Sequence, residues 1–339
     1  MICKINFKVL FYALLFALGS CSKQEDKLTE KLDVILPQHF PKLYYKNDKN
    51  VVDEKKFNLG KKLFFDPILS VNNTISCASC HAPEHAFADH NTALSFGVFN
   101  RIGKRNSPAL FNLGWQTSFN WDGGVNHIEV FPIAPITNQN EMGEDLKNLL
   151  SKLNNNKQYS NLFKEAFGVG KIEDREFLYA LTQYMIMLVS YQSKYDDVVN
   201  GKQQFTESES RGYQIFKTHC NNCHTEPLFT DYSYKNNGST LNNGEVGRMN
   251  ITQKQTDKGK FKVPSLRNLE LTYPYMHNGS IRTLEEVLMH YEKDKTEIEN
   301  IDNKLKNGIK LSDSEKVDLT AFLKTLTDYK FITKNLYKK

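Results

Sequence analysis

The sequence predicts a mainly α-helical protein with little strand, built as two domains of one plan. Three observations predict it. Apolar residues recur at helical spacing in several segments, while little alternates with a period of two. The pentapeptide Cys-x-x-Cys-His occurs twice, at Cys77–His81 and at Cys220–His224. Each copy follows a helical segment and precedes a long stretch of loop-forming residues, after which helices return.

A length of 339 residues suits about two domains. With 22 Phe and 16 Tyr the chain can fill a core, which excludes disorder. Eighteen Gly and 10 Pro exclude a collagen-like or low-complexity chain. The net charge of +5 is mild and no block of like charges appears, so no nucleic-acid partner is expected.

The elements follow in order. Residues 1–20 read as a secretory signal: Lys4 and Lys8, an apolar run from Val9 to Leu18, then Gly19-Ser20-Cys21. The run is too short to span a membrane. Cys21 after Leu-Gly-Ser resembles a bacterial lipoprotein processing site, where the thiol takes lipid; an ordinary signal peptide cut elsewhere is the plainer alternative. A periplasmic or cell-envelope lipoprotein anchored through Cys21 is expected, and Ser22 gives no acidic inner-membrane retention signal. Residues 21–45 read as a tether. The first domain spans 46–200, the second 201–330, and 331–339 form a tail.

Within the first domain a helix is expected over Asp53–Phe65, stopped by Asp66-Pro67. From His81 to Met142 the chain reads as long loops wrapped round a cofactor. Helices return at Glu144–Leu153, Gln158–Phe167 and Asp174–Tyr195, the last apolar enough to be buried, with its Met residues as core. In the second domain Thr206 with Glu209, Thr283 with Glu286 and Ser312 with Glu315 are capping boxes that open helices.

Cysteine use is the most informative feature. Of 6 Cys, Cys3 leaves with the signal and Cys21 takes lipid; the other four form the two motifs. The motif matches c-type haem attachment. Two thiols one turn apart can each add to a vinyl group of one porphyrin, and the adjacent His can supply the proximal iron ligand. Zinc would take four thiolates without a His after each pair. A thioredoxin-like site would occur once, in a βαβ context. Two covalent haem c groups are therefore expected, with Cys77, Cys80, Cys220 and Cys223 as attachment points. The domains become two cytochrome-c-like haem domains with long cofactor-wrapping loops.

The chain resembles the bacterial diheme cytochrome c peroxidase family, including its MauG-type branch. Beyond the haem motifs the likeness rests on Arg105-Asn106-Ser107-Pro108, Trp121-Asp122-Gly123, Pro135, Glu141-Met142-Gly143, Phe261–Asn268 and Leu271–Gly279. It implies that the N-terminal haem reacts with peroxide and the C-terminal haem transfers electrons. By the same resemblance His81 and His224 are proximal ligands and Glu141 is the acid–base residue over the first haem. Pro135 shapes that pocket and Trp121 relays electrons between the haems. Asn106, with the carbonyls of Thr272 and Pro274, would bind a Ca²⁺ between them; these are the hard oxygen donors calcium takes.

The chain departs from the family pattern at three places. Where many members carry Ser-x-Gly-His, with a His that blocks the first iron until reduction, this chain has Ser95-Phe96-Gly97-Val98. His85 and His90 are nearby substitutes outside the family position. At the distal side of the second haem many members carry Met; here Tyr291 stands, as in the MauG branch, with Met289 and His290 as alternatives. Met289 lies about 200° and His290 about 100° round a helix from Tyr291. Phe131 replaces the usual Gln of the distal pocket.

Independently of the resemblance, splitting O–O requires a proton to move from one oxygen to the other, and a carboxylate in a desolvated pocket suits that transfer. The expected function is a diheme c-type peroxidase that reduces H₂O₂ with electrons from an external donor, such as a small cytochrome c or another periplasmic redox protein. Alternatives are a MauG-like oxidase of a protein or small-molecule substrate, and a non-enzymatic diheme electron carrier. The oligomeric state is left open, with a homodimer as one option.

Overall fold

The computed structural model describes residues 32–339 apart from Asn47, His90, Asn91 and Asn243. The expected signal segment, Cys21 with its expected lipid, and His90 lie outside the described residues. In chain order the described helices are α1 (Glu54–Phe65), α2 (Ile133–Thr137), α3 (Leu146–Asn155), α4 (Lys157–Phe167), α5 (Asp174–Ile186), α6 (Lys194–Val199), α7 (Glu207–His219), α8 (Met249–Thr252), α9 (Leu284–Glu292), α10 (Asp313–Lys324) and α11 (Tyr329–Thr333). The only ladder among the described residues joins β1 (Tyr234–Lys235) to β2 (Phe261–Lys262), antiparallel. The mainly α reading holds. No described helix is long and apolar enough to cross a membrane.

The two halves repeat one packing device. Asp53 caps α1, its carboxylate accepting from the amides of Lys55 and Lys56. The helix buries Phe57, Leu59, Leu63 and Phe64 and packs on α5. Gly60 lies at the crossing, where a Cβ would overlap the Ala180 carbonyl oxygen. In the second half the Thr206–Glu209 capping box opens α7, which packs on α10. Gly212 lies at that crossing, where a Cβ would overlap the Asp318 carbonyl oxygen. Helix α7 runs directly into the second Cys-x-x-Cys-His segment, whereas a 3₁₀ turn over Pro67–Leu69 and a short loop separate α1 from the first.

Two apolar cores result. The first gathers Phe57, Phe64, Phe87, Tyr159, Phe177 and Tyr184, among others. The second gathers Phe216, Phe229, Leu319, Phe322 and Leu326.

Several expectations need correction. The helix expected over Asp174–Tyr195 ends at Ile186, and α6 begins only at Lys194. Tertiary hydrogen bonds capture the backbone between them. Asp328 accepts from the amides of Tyr191 at 2.9 Å and Gln192 at 2.8 Å. Asn112 donates to the Ser190 carbonyl at 3.0 Å and accepts from its amide at 2.9 Å. The helix expected from Glu144 starts at Leu146, because Asp145 is its cap and accepts from the Asn148 amide at 3.0 Å. The described part of the expected tether is packed: Val34, Phe40 and Tyr45 are buried, and Trp115 donates its indole N–H to the Pro41 carbonyl at 2.8 Å. The expected tail is packed as well, with Phe331 and Tyr337 buried in the first core and the Tyr184 hydroxyl donating to the Tyr337 carbonyl at 2.6 Å. Helices α2 and α11 lacked a periodic signal long enough to read.

Candidate functional site

The two motifs fold alike. In the first, a 3₁₀ turn over Cys77–Ser79 makes the amides of Cys80 and His81 donate to the Cys77 carbonyl at 3.2 and 3.0 Å. In the second, Cys220 ends α7, and the amides of Cys223 and His224 donate to its carbonyl at 3.2 and 3.0 Å. Each turn therefore brings two thiols together with a His directly behind them. All four thiols are free. Burial pushes Cys77 and Cys220 up to about 12 and Cys80 up to about 11, so they rest protonated rather than as thiolates.

The imidazoles are oriented in the same way. His81 Nδ1 is 3.0 Å from the Phe87 carbonyl. His224 Nδ1 is 3.1 Å from the Pro264 carbonyl and 3.3 Å from that of Phe229. A carbonyl only accepts, so each Nδ1 carries the proton and each Nε2 keeps its lone pair for a metal. Burial lowers His81 to about 4 and lowers His224 as well, so both rings stay neutral near pH 7. Among the described residues no three His, Cys, Asp or Glu side chains converge as a metal cage, which leaves the zinc reading without a ligand set.

A mostly apolar cavity of about 290 Å³ opens beside the second motif. Cys220, Cys223 and His224 line it, with Leu266, Leu288 and Leu323. Tyr291 lines it too, while Met289 is half exposed and His290 Nε2 donates to the Asn237 carbonyl at 2.9 Å. Of the three neighbours on α9 only Tyr291 faces the cavity, as the helical angle requires. Two turn-borne thiol pairs, two oriented imidazoles and an apolar cavity fit covalently held haem.

The cavity continues towards the first half, where Asn106, Trp121, Thr272, Pro274 and Phe131 line it together. Trp121 donates its indole N–H to the Asn106 carbonyl at 2.8 Å, and the Asn106 amide donates to the His277 carbonyl at 2.8 Å. Asn106 is not free of other duties, since its side chain donates to the Ala93 carbonyl at 3.1 Å. Phe131 stacks on Phe119 with ring centres 5.0 Å apart. Arg105 ties this region together, reaching Asp122 at 2.6 Å and Glu245 at 2.7 and 2.9 Å.

Glu141 sits elsewhere, beside the first motif, close enough for its charge to raise the Cys80 thiol. Burial lifts the Glu141 carboxyl above its usual range, although the Asn138 amide, donating at 2.6 Å, works against that. Pro135 belongs to α2, and its carbonyl accepts from the Met142 amide at 3.2 Å, fastening α2 to the turn that carries Glu141. Val98 is buried and its amide donates to the Glu141 carbonyl at 2.7 Å. His85 closes a 3₁₀ turn over Pro83–His85.

Sequence reasoning gave no role to three residues of the cavity wall. Lys262 donates to the Gln116 side chain and the Ser118 carbonyl, each at 2.7 Å, and burial lowers its ammonium to about 7. His277 stacks on Phe261 with ring centres 3.8 Å apart. Asn237 faces Tyr291 at 3.4 Å. Lys262 and His277 stand inside the quoted motifs, so their sequence context was a signal; Asn237 had none.

The fold and these paired sites define a two-haem c-type protein. Residues 54–204 match the family model described as di-haem cytochrome c peroxidase, and residues 209–327 match that of cytochrome c. The methylamine utilization protein MauG of Methylophilus methylotrophus is 35% identical over 284 residues, covering 82% of this chain and 84% of that protein. The cytochrome c551 peroxidase of Nitrosomonas europaea is 34% identical over 275 residues, covering 79% of each. A solved MauG-like protein associated with microbial copper homeostasis superposes with a TM-score of 0.81 at 30% identity, covering 89% of this chain and 97% of that one. The chain belongs to the di-haem cytochrome c peroxidase family, whose members carry two haem c groups.

Proposed function

We propose that this protein reduces H₂O₂ at the N-terminal haem with electrons that pass through the C-terminal haem from an external donor. Cys77 and Cys80 hold the first haem and His81 ligates it; Cys220 and Cys223 hold the second, with His224 and Tyr291 as its ligands. Bound haem supplies the electrons that cleave the O–O bond. The chain supplies placement and protons. Glu141 accepts a proton from one peroxide oxygen and returns it to the other, which leaves as water; two electrons from the donor and two protons from solvent convert the remaining oxygen to a second water. Asn138 aims the carboxylate, and Pro135 holds its turn against α2. Trp121, which lines the same cavity as the second motif and donates to the Asn106 carbonyl, is the proposed relay. Asn106 with the carbonyls of Thr272 and Pro274, which line one cavity, is the proposed Ca²⁺ site. The Lys-led apolar segment and Cys21 support a lipid-anchored protein of the cell envelope, with a small cytochrome c or similar redox protein as donor.

The raised, half-buried Glu141 carboxyl beside Cys80 carries this reading. Its rival role, capping the following helix, loses support because Asp145 is the cap of α3. Glu141→Gln should lower peroxide turnover at least about 100-fold with both haem spectra intact. Stopped-flow mixing of ferric protein with H₂O₂ measures it, and equal rates in the two proteins would remove Glu141 from the mechanism.

A second reading is oxidation of a protein or small-molecule substrate. An oxygen donor at the second haem favours ferric and higher states over a store of waiting electrons, and Tyr291 rather than Met289 faces the cavity. Cytochrome c oxidation assayed against oxidation of amine-pathway proteins separates the two. A mere electron carrier would show no high-spin ferric fraction.

A further inference from the structure

Asn237 follows β1, and three contacts fix its orientation. Its side-chain oxygen accepts from the Ser239 amide at 3.1 Å and from the Ser239 hydroxyl at 2.6 Å. Its backbone carbonyl accepts from His290, the neighbour of Tyr291 on α9, at 2.9 Å. With the side-chain oxygen engaged, the NH₂ group must point the other way. It faces two atoms at 3.4 Å each, the Tyr291 hydroxyl oxygen and the Met276 sulfur. Asn237, Met276 and Tyr291 all line the cavity that contains Cys220, Cys223 and His224.

The sulfur that shares the Asn237 donor and the cavity with Tyr291 is therefore that of Met276, while Met289 is half exposed. Met276 has φ of 71°, a left-handed conformation that a residue with a Cβ seldom takes and that clusters at functional sites.

We propose that Asn237 selects oxygen over sulfur at the second haem: its NH₂ donates to the Tyr291 oxygen and holds it as the ligand, leaving the Met276 thioether an unbound competitor. The inference rests on the reading of Tyr291 as that haem's ligand. A ligating phenol oxygen is anionic, and an N–H aimed at an anion makes a strong, charge-assisted hydrogen bond. A thioether accepts only weakly, so the same N–H favours the oxygen. Without the donor the balance moves towards sulfur, which raises the potential of a haem iron.

The haem-loaded protein is compared as wild type, Asn237→Asp, Met276→Leu and Tyr291→Phe, by ferric absorption and resonance spectra and by redox titration. Asn237→Asp keeps the size and the acceptor for Ser239 and puts a carboxylate where the donor stood, which repels an anionic phenol oxygen but not a thioether. It should gain a weak sulfur–iron band, and its ferrous-to-ferric ratio at a fixed potential should be about tenfold higher than that of the protein carrying both Asn237→Asp and Met276→Leu, which has the same added charge and no sulfur. Adding Met276→Leu to it should abolish the band, while Met276→Leu alone should keep the wild-type spectrum. An Asn237→Asp protein with wild-type spectrum and potential, beside a Tyr291→Phe protein that differs in both, overturns the role of Asn237 and leaves the ligand assignment standing. High-spin iron without a sulfur band in Asn237→Asp, or an altered spectrum in Met276→Leu alone, overturns the role of Met276. An unchanged Tyr291→Phe spectrum overturns the ligand assignment itself, and this inference with it.

Discussion

Asp196 is almost wholly buried and accepts from four groups. Arg267 reaches it at 2.7 and 2.9 Å, His39 at 2.7 Å, and Ser193 through its amide at 2.9 Å and hydroxyl at 2.8 Å. Arg267 is itself fully buried and lies over the Phe40 ring at 4.8 Å. Burial opposes the charge on Asp196, but the hydrogen bonds and charge of Arg267, with His39 and Ser193, outweigh it and hold the carboxyl well below its usual range. The unfolded chain therefore takes up this proton first as pH falls. The stabilisation is fully present above the unfolded value of 3.8 and is lost as pH drops below it. Asp196→Asn should cost about 3–5 kcal/mol at pH 7, because Arg267 would stay buried without its counter-charge. Denaturant titration at pH 7 and in acid measures both effects, and the difference between wild type and variant should shrink in acid.

At the scale of elements, the crossings of α1 with α5 and of α7 with α10 depend on glycine. In an open helix Gly→Ala gains up to about 1 kcal/mol. Here the added methyl would meet a carbonyl oxygen of the facing helix, and overpacking costs about 1–3 kcal/mol. Gly60→Ala should thus lower stability despite its better helix propensity, as a fall in denaturation midpoint would show. The loop over Ser95–Val98 is a second such element. Gly97 presses against the carbonyls of Asn140 and Glu141, and Val98 is buried behind them. A valine offers iron no donor. Ferric protein should therefore react with H₂O₂ without prior reduction, and Val98→His should slow that first spectral change. A strict need for pre-reduction in the wild type would point to another blocking residue, such as His85.

Across the whole molecule the two motifs belong to separate cores, so their haems should be separable. Replacing Cys77 and Cys80 by Ser should remove the first haem and all peroxide activity while the second haem persists, as pyridine haemochrome stoichiometry and turnover would report. Full activity with one haem would reverse the proposed division of labour. The halves are not wholly independent, because Phe331 and Tyr337 from the end of the chain complete the first core.

Local chemistry was legible without the fold. Each Cys-x-x-Cys-His turn, each Ser/Thr–Glu capping box and the angle between Met289 and Tyr291 depends on residues within about one helical turn of each other, so spacing alone determines it. The mainly α class followed from the same short-range periodicity. What required the tertiary structure involves residues distant in sequence. Helix α5 stops at Ile186 because Asn112 and Asp328 bind the backbone that follows. The segment 331–339 is packed rather than loose because its Phe331 and Tyr337 meet Phe87 and Tyr184. Asn237 faces Tyr291 and Met276 because three separate segments converge on one cavity. Such contacts leave no period or motif in the chain: the burial and hydrogen bonds that favour them exist only once the distant partners have come together.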